Sequence, residues 1–171
     1  HLYERLGAPI YARAFTANLA RRKMSEHGFS DKTVKTVGKW PETVKVGPFE
    51  VGFVPISHSI PESSGLVIDS KGGRIIHTGD FKIDVEPGIG EPFDYDLWAS
   101  LGKDGVKALV CDSTNVFSRE EGRSESTVGP EIEKFLINAK GMVAATTFAS
   151  NVSRVRTIAL AAERAGRSVC L

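Results

Sequence analysis

Apolar residues change their spacing several times along the chain, and each change marks an element. Pro9-Ile10-Tyr11-Ala12 is a short apolar run that predicts a strand. A helix-spaced stretch follows over residues 16–26, with Thr16 as its N-cap and Gly28 as its stop. Residues 29–47 are polar with isolated valines, which predicts loop or weak strand. Phe49, Val51 and Phe53 then alternate with Glu50, Gly52 and Val54, the period-two pattern of a strand leading into Pro55-Ile56-Ser57-His58. Leu66-Val67-Ile68 predicts a second strand and Lys71-Gly72-Gly73 a hairpin connection. Arg74-Ile75-Ile76-His77-Thr78 returns as a third strand and ends at Gly79-Asp80.

After a loop rich in proline and glycine, a short helix is predicted over residues 95–101 and an apolar strand over 106–111. Asp112-Ser113-Thr114-Asn115 closes that strand. The charged, glycine-containing stretch 117–126 reads as a linker, which puts a domain boundary near Ser118. Beyond it the pattern gives a helix over 128–138, a strand over 142–146 and a helix over 152–164. A final apolar run, Ser168-Val169-Cys170-Leu171, completes what reads as a βαβ-type unit. The opening run to Gly7 reads as the tail of a helix stopped by glycine, and the closing run as the start of a strand. A piece of a longer protein is therefore expected. The fold class is α/β.

Strand direction decides which residues can meet. The strands ending at His58 and Asp80 are separated by one antiparallel return, so they run the same way. The strand before Asp112 follows a helical crossover and is expected parallel to the Asp80 strand. His58, Asp80 and Asp112 should then gather at one edge of the sheet, where open α/β sheets place their chemistry. Taken singly, each has an ordinary explanation as a loop or turn residue. Together they offer the imidazole and carboxylate donors that a metal site draws from separate segments. His77 reads as a packed or sheet-facing residue, and His1 and His27 as incidental. Thr147-Phe148-Ala149-Ser150-Asn151 and Arg154 stand where a strand meets a helix. Free N–H groups, small polar side chains and an arginine suit a phosphate there, although the residues by themselves favour the simpler reading that Ser150 or Asn151 caps the helix.

Composition adds little. Hydrophobic residues make up 41% and charged residues 25% of the 171, values of an ordinary globular domain. The formal charge of +1 gives no electrostatic signature of a nucleic-acid partner. No apolar run approaches a membrane span and nothing resembles a signal peptide. Cys111 and Cys170 lie in apolar stretches and read as small buried hydrophobes in a reducing, cytoplasmic setting.

Four stretches carry a family resemblance. Ser57-His58-Ser59-Ile60-Pro61 and His77-Thr78-Gly79-Asp80-Phe81-Lys82 resemble the third and fourth motifs of the metallo-β-lactamase superfamily, in the form found in ribonuclease J. Asp112-Ser113-Thr114-Asn115 looks like motif A of the β-CASP subgroup, and Thr146-Thr147-Phe148-Ala149-Ser150-Asn151 resembles a ribonuclease J stretch of the β-CASP domain. The resemblance implies a partial αββα sandwich over residues 1–117 and the start of a β-CASP domain over 118–171. It implies a metal-dependent ribonuclease, endonucleolytic or 5′-exonucleolytic, with two zinc or manganese ions and RNA as partner. His58 would be a ligand of one ion and Asp80 the carboxylate bridging both. Asp112 would orient a histidine elsewhere in the β-CASP domain, and Ser150, Asn151 and Arg154 would lie along the RNA path. Homo-oligomerisation of the intact protein is also expected.

The superfamily's His-x-His-x-Asp-His motif is absent from these 171 residues, and so are the later β-CASP histidines. By position they should precede His1 and follow Leu171, so the segment by itself is expected to be inactive. Two other readings stand beside the nuclease: a non-catalytic RNA-binding or structural subunit of the same fold, and a β-CASP hydrolase acting on DNA.

Overall fold

A computed structural model describes residues 2–120 and 122–171; His1 and Glu121, and with them the reading of His1 as incidental, lie outside the described residues. The chain divides into two compact units. The first comprises the residues up to Pro55 with Ser64–Gly79 and Ala99–Cys111, and the second Ile56–Ser63, Asp80–Trp98 and Asp112–Leu171. The fold is mixed α/β.

In the first unit, helix α1 (Tyr3–Leu6) ends at Gly7, which adopts a left-handed φ of 56° and donates its N–H to Tyr3 O at 2.8 Å. Strand β1 (Ile10–Ala12), helix α2 (Ala14–Glu26) and, after a 3₁₀ turn at Asp31–Thr33, strand β2 (Val34–Thr36) follow. β1 and β2 pair in parallel. Ala12, Ala17, Met24 and Val34 form the core between them and α2, closed by an edge-on contact of Tyr3 and Phe29 at 5.3 Å. The helix begins two residues earlier than its sequence predicts. Arg13 is the N-cap, with no side-chain cap bond, and Thr16 stands inside the first turn. Packing of Ala17 and Met24 sets the start of α2, and no hydroxyl cap is needed.

A five-stranded sheet supplies the rest of this unit: β3 (Thr43–Val46), β4 (Phe49–Pro55), β5 (Ser64–Ser70), β6 (Gly73–His77) and β7 (Ala108–Val110), in that spatial order. Pairing is antiparallel from β3 to β6 and parallel between β6 and β7. β4, β6 and β7 therefore run the same way, and their carboxyl ends share one edge. The register sets Gly52, Val67, Ile76 and Leu109 in one cross-sheet row. Val54, Val67 and Ile76 are buried, whereas Leu109, on the edge strand, is 61% exposed. The face carrying Gly52 and Val54 is the more buried side of β4, because Trp40 lies against Gly52 and Arg74 sits over the Trp40 ring at 5.9 Å. Arg74 also makes a bidentate pair with Asp69 at 2.8 and 2.9 Å.

Helix α3 (Tyr95–Leu101) precedes β7. The second unit contains α4 (Val128–Asn138) and α5 (Val152–Arg164), joined through Leu136, Ala161 and Ala162. Two expectations are corrected here. The 142–146 stretch and the closing apolar run form no strand, so the βαβ-type unit expected beyond residue 128 is not formed. An apolar pentapeptide becomes a strand only where another strand accepts its backbone bonds, and the described residues of this unit include no strand. Val143 instead packs against the helix pair, while Met142 is 97% exposed. Arg167 occupies the connection, donating to Leu136 O and Gly141 O at 2.8 Å each and to Ala139 O, and so satisfies carbonyls at the end of α4. The second correction concerns Cys111 and Cys170, which are both exposed because the apolar stretches holding them lie at the uncovered margins of their units. No described helix is long and apolar enough to cross a membrane.

The Trp40 contact makes a direct prediction. A β-carbon at Gly52 would stand 2.9 Å from Trp40 Cζ3 and closer still to Cε3. Gly52→Ala should destabilise the chain by about 1–3 kcal/mol through displacement of the indole, read as a lower urea midpoint with an unchanged slope.

Candidate functional site

Three segments that leave the strands β4, β6 and β7 all lie within the second unit. His58, Asp80 and Asp112 line one cavity of about 470 Å³, together with Lys82, Asp84, Thr114, Asn115, Glu125, Asn151 and Arg154. His58 and Asp112 are half-buried and Asp80 is exposed. Asp112 folds into a tight turn in which Oδ1 accepts the Thr114 N–H at 2.9 Å and its hydroxyl at 2.6 Å. The Thr114 hydroxyl and then its backbone N–H hold the Asp112 carboxyl below the usual carboxylate range; burial opposes them, and the Phe81 N–H and the charge of His58 add smaller effects in the same direction as Thr114. That carboxylate thus feels groups from all three segments.

The cavity wall also holds a buried carboxylate that no sequence motif singles out. Asp84 is 4% exposed. Its Oδ1 accepts the Ser124 hydroxyl at 2.6 Å and the Glu86 N–H at 3.0 Å, and its Oδ2 accepts the Glu125 N–H at 2.9 Å, with Lys82 Nζ at 3.4 Å. Burial pushes the Asp84 carboxyl up, but these donors together outweigh it and hold the group below its ordinary value. Its backbone N–H donates to Ser57 Oγ at 3.1 Å, and the Ser57 hydroxyl donates to Lys82 O. Residues 117–126 are consequently no free linker: Ser124 and Glu125 are anchored by Asp84 across some 40 residues of sequence.

The start of α5 is equally committed. Asn151 Oδ1 accepts the Arg154 N–H at 2.9 Å and caps the helix. The Arg154 guanidinium pairs with buried Glu125 through Nε at 2.8 Å and Nη2 at 3.0 Å. Ser150 is exposed and does not line the cavity. His77, in the other unit, is exposed and accepts the Gly79 N–H on Nδ1 at 2.9 Å. Among the described residues no group of three or more histidine, cysteine, aspartate or glutamate side chains is placed to hold a metal ion. His58 and Asp80 by themselves do not make a coordination set.

Compared with known proteins, 99% of the chain is 42% identical to ribonuclease J of Sinorhizobium meliloti, covering 30% of that protein. It is 37% identical to ribonuclease J 1 of Streptococcus pyogenes, again over 99% of the chain and 30% of the relative. With ribonuclease J of Corynebacterium glutamicum it shares 37% identity over 94% of the chain and 22% of the relative. The chain is a segment of the ribonuclease J family. It spans less than a third of the length of these family members. No family model matches it. A crystal structure of a protein of unknown function from Enterococcus faecalis shares the fold, with a TM-score of 0.63 at 16% identity over 89% of this chain and 39% of that one.

In this ribonuclease J-family segment, the residues that sequence reasoning missed are Ser57, Lys82, Asp84 and Glu125. Asp84 follows Asp80 in Asp80-Phe81-Lys82-Ile83-Asp84, but nothing in that spacing names a partner 40 residues away. The Asp84 carboxyl is held below the ordinary aspartate value of 3.8, so its stabilisation is complete above that value and is lost as the pH falls through the lowered one. Asp84→Ala should cost about 2–4 kcal/mol at neutral pH, the usual range for orphaning buried donors around a charge. In a denaturation series from neutral to acid pH, the gap between wild type and variant should narrow below 3.8. A gap independent of pH would contradict the assignment.

Proposed function

We propose that this segment belongs to a metal-dependent ribonuclease that hydrolyses RNA phosphodiesters in the cytoplasm, by endonucleolytic or 5′-exonucleolytic attack. One observation carries the reading: a stretch ribonuclease J-like along its whole length brings His58, Asp80 and Asp112 to one cavity. The intact protein is read as a homo-oligomer. Residues 1–117 are read as part of a metallo-β-lactamase-fold domain and 118–171 as the start of a β-CASP domain.

In this reading His58 and Asp80 contribute ligands to a site for two divalent ions, zinc or manganese, whose remaining ligands come from outside these 171 residues. The donor set present fits only part of such a site, and for that reason the segment alone is read as inactive. Asp112, its carboxyl held low by the Thr114 turn, suits the role of a carboxylate that orients a histidine elsewhere in the β-CASP domain. Asn151 and Arg154 line the same cavity. Since Arg154 Nε and Nη2 are engaged with Glu125, its contribution to an RNA path is chiefly to shape the wall, while exposed Ser150 remains available for contact.

The test is cleavage of a labelled single-stranded RNA by a full-length protein carrying this stretch. Asp80→Ala should reduce kcat by about a thousandfold or more, the scale for losing a group essential to the chemistry, and the isolated 171-residue chain should not cleave. If Asp80→Ala keeps full cleavage, Asp80 is not part of the chemistry. If the wild type binds RNA but never cuts it, the non-catalytic subunit replaces the nuclease; if it cuts DNA in preference, the DNA hydrolase does.

A further inference from the structure

The polar contacts beneath the cavity close on themselves. Ser57 is 1% exposed, and each of its side-chain and carbonyl oxygens is engaged by the 82–84 stretch: Lys82 N–H donates to Ser57 O at 2.9 Å, Asp84 N–H to Ser57 Oγ, and Ser57 Oγ–H to Lys82 O. From Asp84 the connection passes through its carboxylate to Ser124 and Glu125, and from Glu125 to Arg154. At the neighbouring position Ser153 donates its N–H to Ser59 O at 3.1 Å and its hydroxyl to Pro87 O at 2.9 Å. The ring therefore returns to the loop where it began. His58 stands between the two residues, Ser57 and Ser59, at which the ring closes.

Every link outside one carboxylate is a neutral contact or an arginine–carboxylate pair that is partly open to water. The exception is Asp84, a nearly inaccessible carboxylate at the node joining the His58 loop, the stretch following Asp80 and the Ser124–Glu125 turn. Each of its oxygens accepts from at least one protein donor, so the carboxylate is committed to the fold. A well-packed apolar side chain could stabilise such a node as well as a buried charge does, but it could not fix the directions of several donors at once.

We propose that Asp84 is a positioning residue of the cavity: by joining Ser57, Ser124 and Glu125 in one hydrogen-bonded ring it fixes where His58 and Asp80 stand. The effect on catalysis rests on the ribonuclease reading above; the effect on His58 does not. An amide at this position would place an N–H₂ against donors that now meet a carboxylate, and one link of the ring would open.

The experiment has two readouts. In the full-length protein, Asp84→Asn should lower kcat for RNA by about 10–100-fold, the scale of a displacement near 1 Å in a reacting group, with KM little changed. Ser124→Ala, a milder loss of one donor, should lower kcat in the same direction by several-fold and covers the case in which Asp84→Asn does not fold. In the 171-residue chain, both variants should shift or broaden the His58 ring resonances in a ¹H–¹³C spectrum and leave those of His27 in place. A purely structural role would lower the melting temperature without moving kcat or the His58 signals in folded protein, and that result overturns the proposal. If wild type fails to cleave RNA while the His58 signals respond, the nuclease reading fails and the positioning stands. If Asp80→Ala abolishes cleavage while Asp84→Asn and Ser124→Ala change neither readout, the positioning fails and the nuclease reading stands.

Discussion

A carboxylate taken out of water must find donors for both of its oxygens or give up its charge, and that requirement organises the second unit of this chain. Asp84 meets it with the Ser124 hydroxyl, the N–H groups of Glu86 and Glu125, and the nearby Lys82 ammonium. Each donor comes from a segment that would otherwise be loop. The turn at Ser124–Glu125 is thereby fixed in place, and with it the glutamate that receives Arg154 from the first turn of α5. A stretch with few apolar residues gains a defined conformation from polar satisfaction where hydrophobic burial is scarce.

The cavity depends on a second constraint, which operates at the level of strand direction. β4, β6 and β7 share an orientation because one antiparallel strand separates the first two and the third pairs in parallel. Within the second unit, the segments that follow these three strands in sequence line one space, and a histidine and two aspartates from distant parts of the chain share its wall. Neither constraint suffices alone. Strand direction orders the first unit, and the hydrogen-bonded ring ties together the second unit's loops that carry His58 and follow Asp80. The ribonuclease J relatives are similar across this whole arrangement, from the strands to the helix pair.

Much of this was legible in the sequence where a short-range pattern carries the information. The limits of α4 and α5 follow from their apolar spacing, and Gly7 marked the end of α1 because a left-handed cap favours glycine. The gathering of His58, Asp80 and Asp112 followed from counting strand reversals. What could not be read depends on partners remote in sequence. The 142–146 run has the composition of a strand but lacks a neighbouring strand, and Arg167 holds that connection from beyond α5. Cys111 and Cys170 sit in apolar surroundings along the chain, yet apolar neighbours in sequence do not ensure cover in space. The same holds for Asp84, whose role is defined by residues some 40 positions away.

The central claim is that the cavity lined by His58 and Asp80 is where a longer ribonuclease J-type protein would hold its metal. Calorimetric titration of manganese into that full-length protein, wild type against His58→Ala, tests it most directly. The account predicts that affinity falls by at least about tenfold when the imidazole is lost, the lower end of what even supporting groups around a metal contribute. Equal affinity in the two proteins, both folded, would contradict it and would place any metal elsewhere.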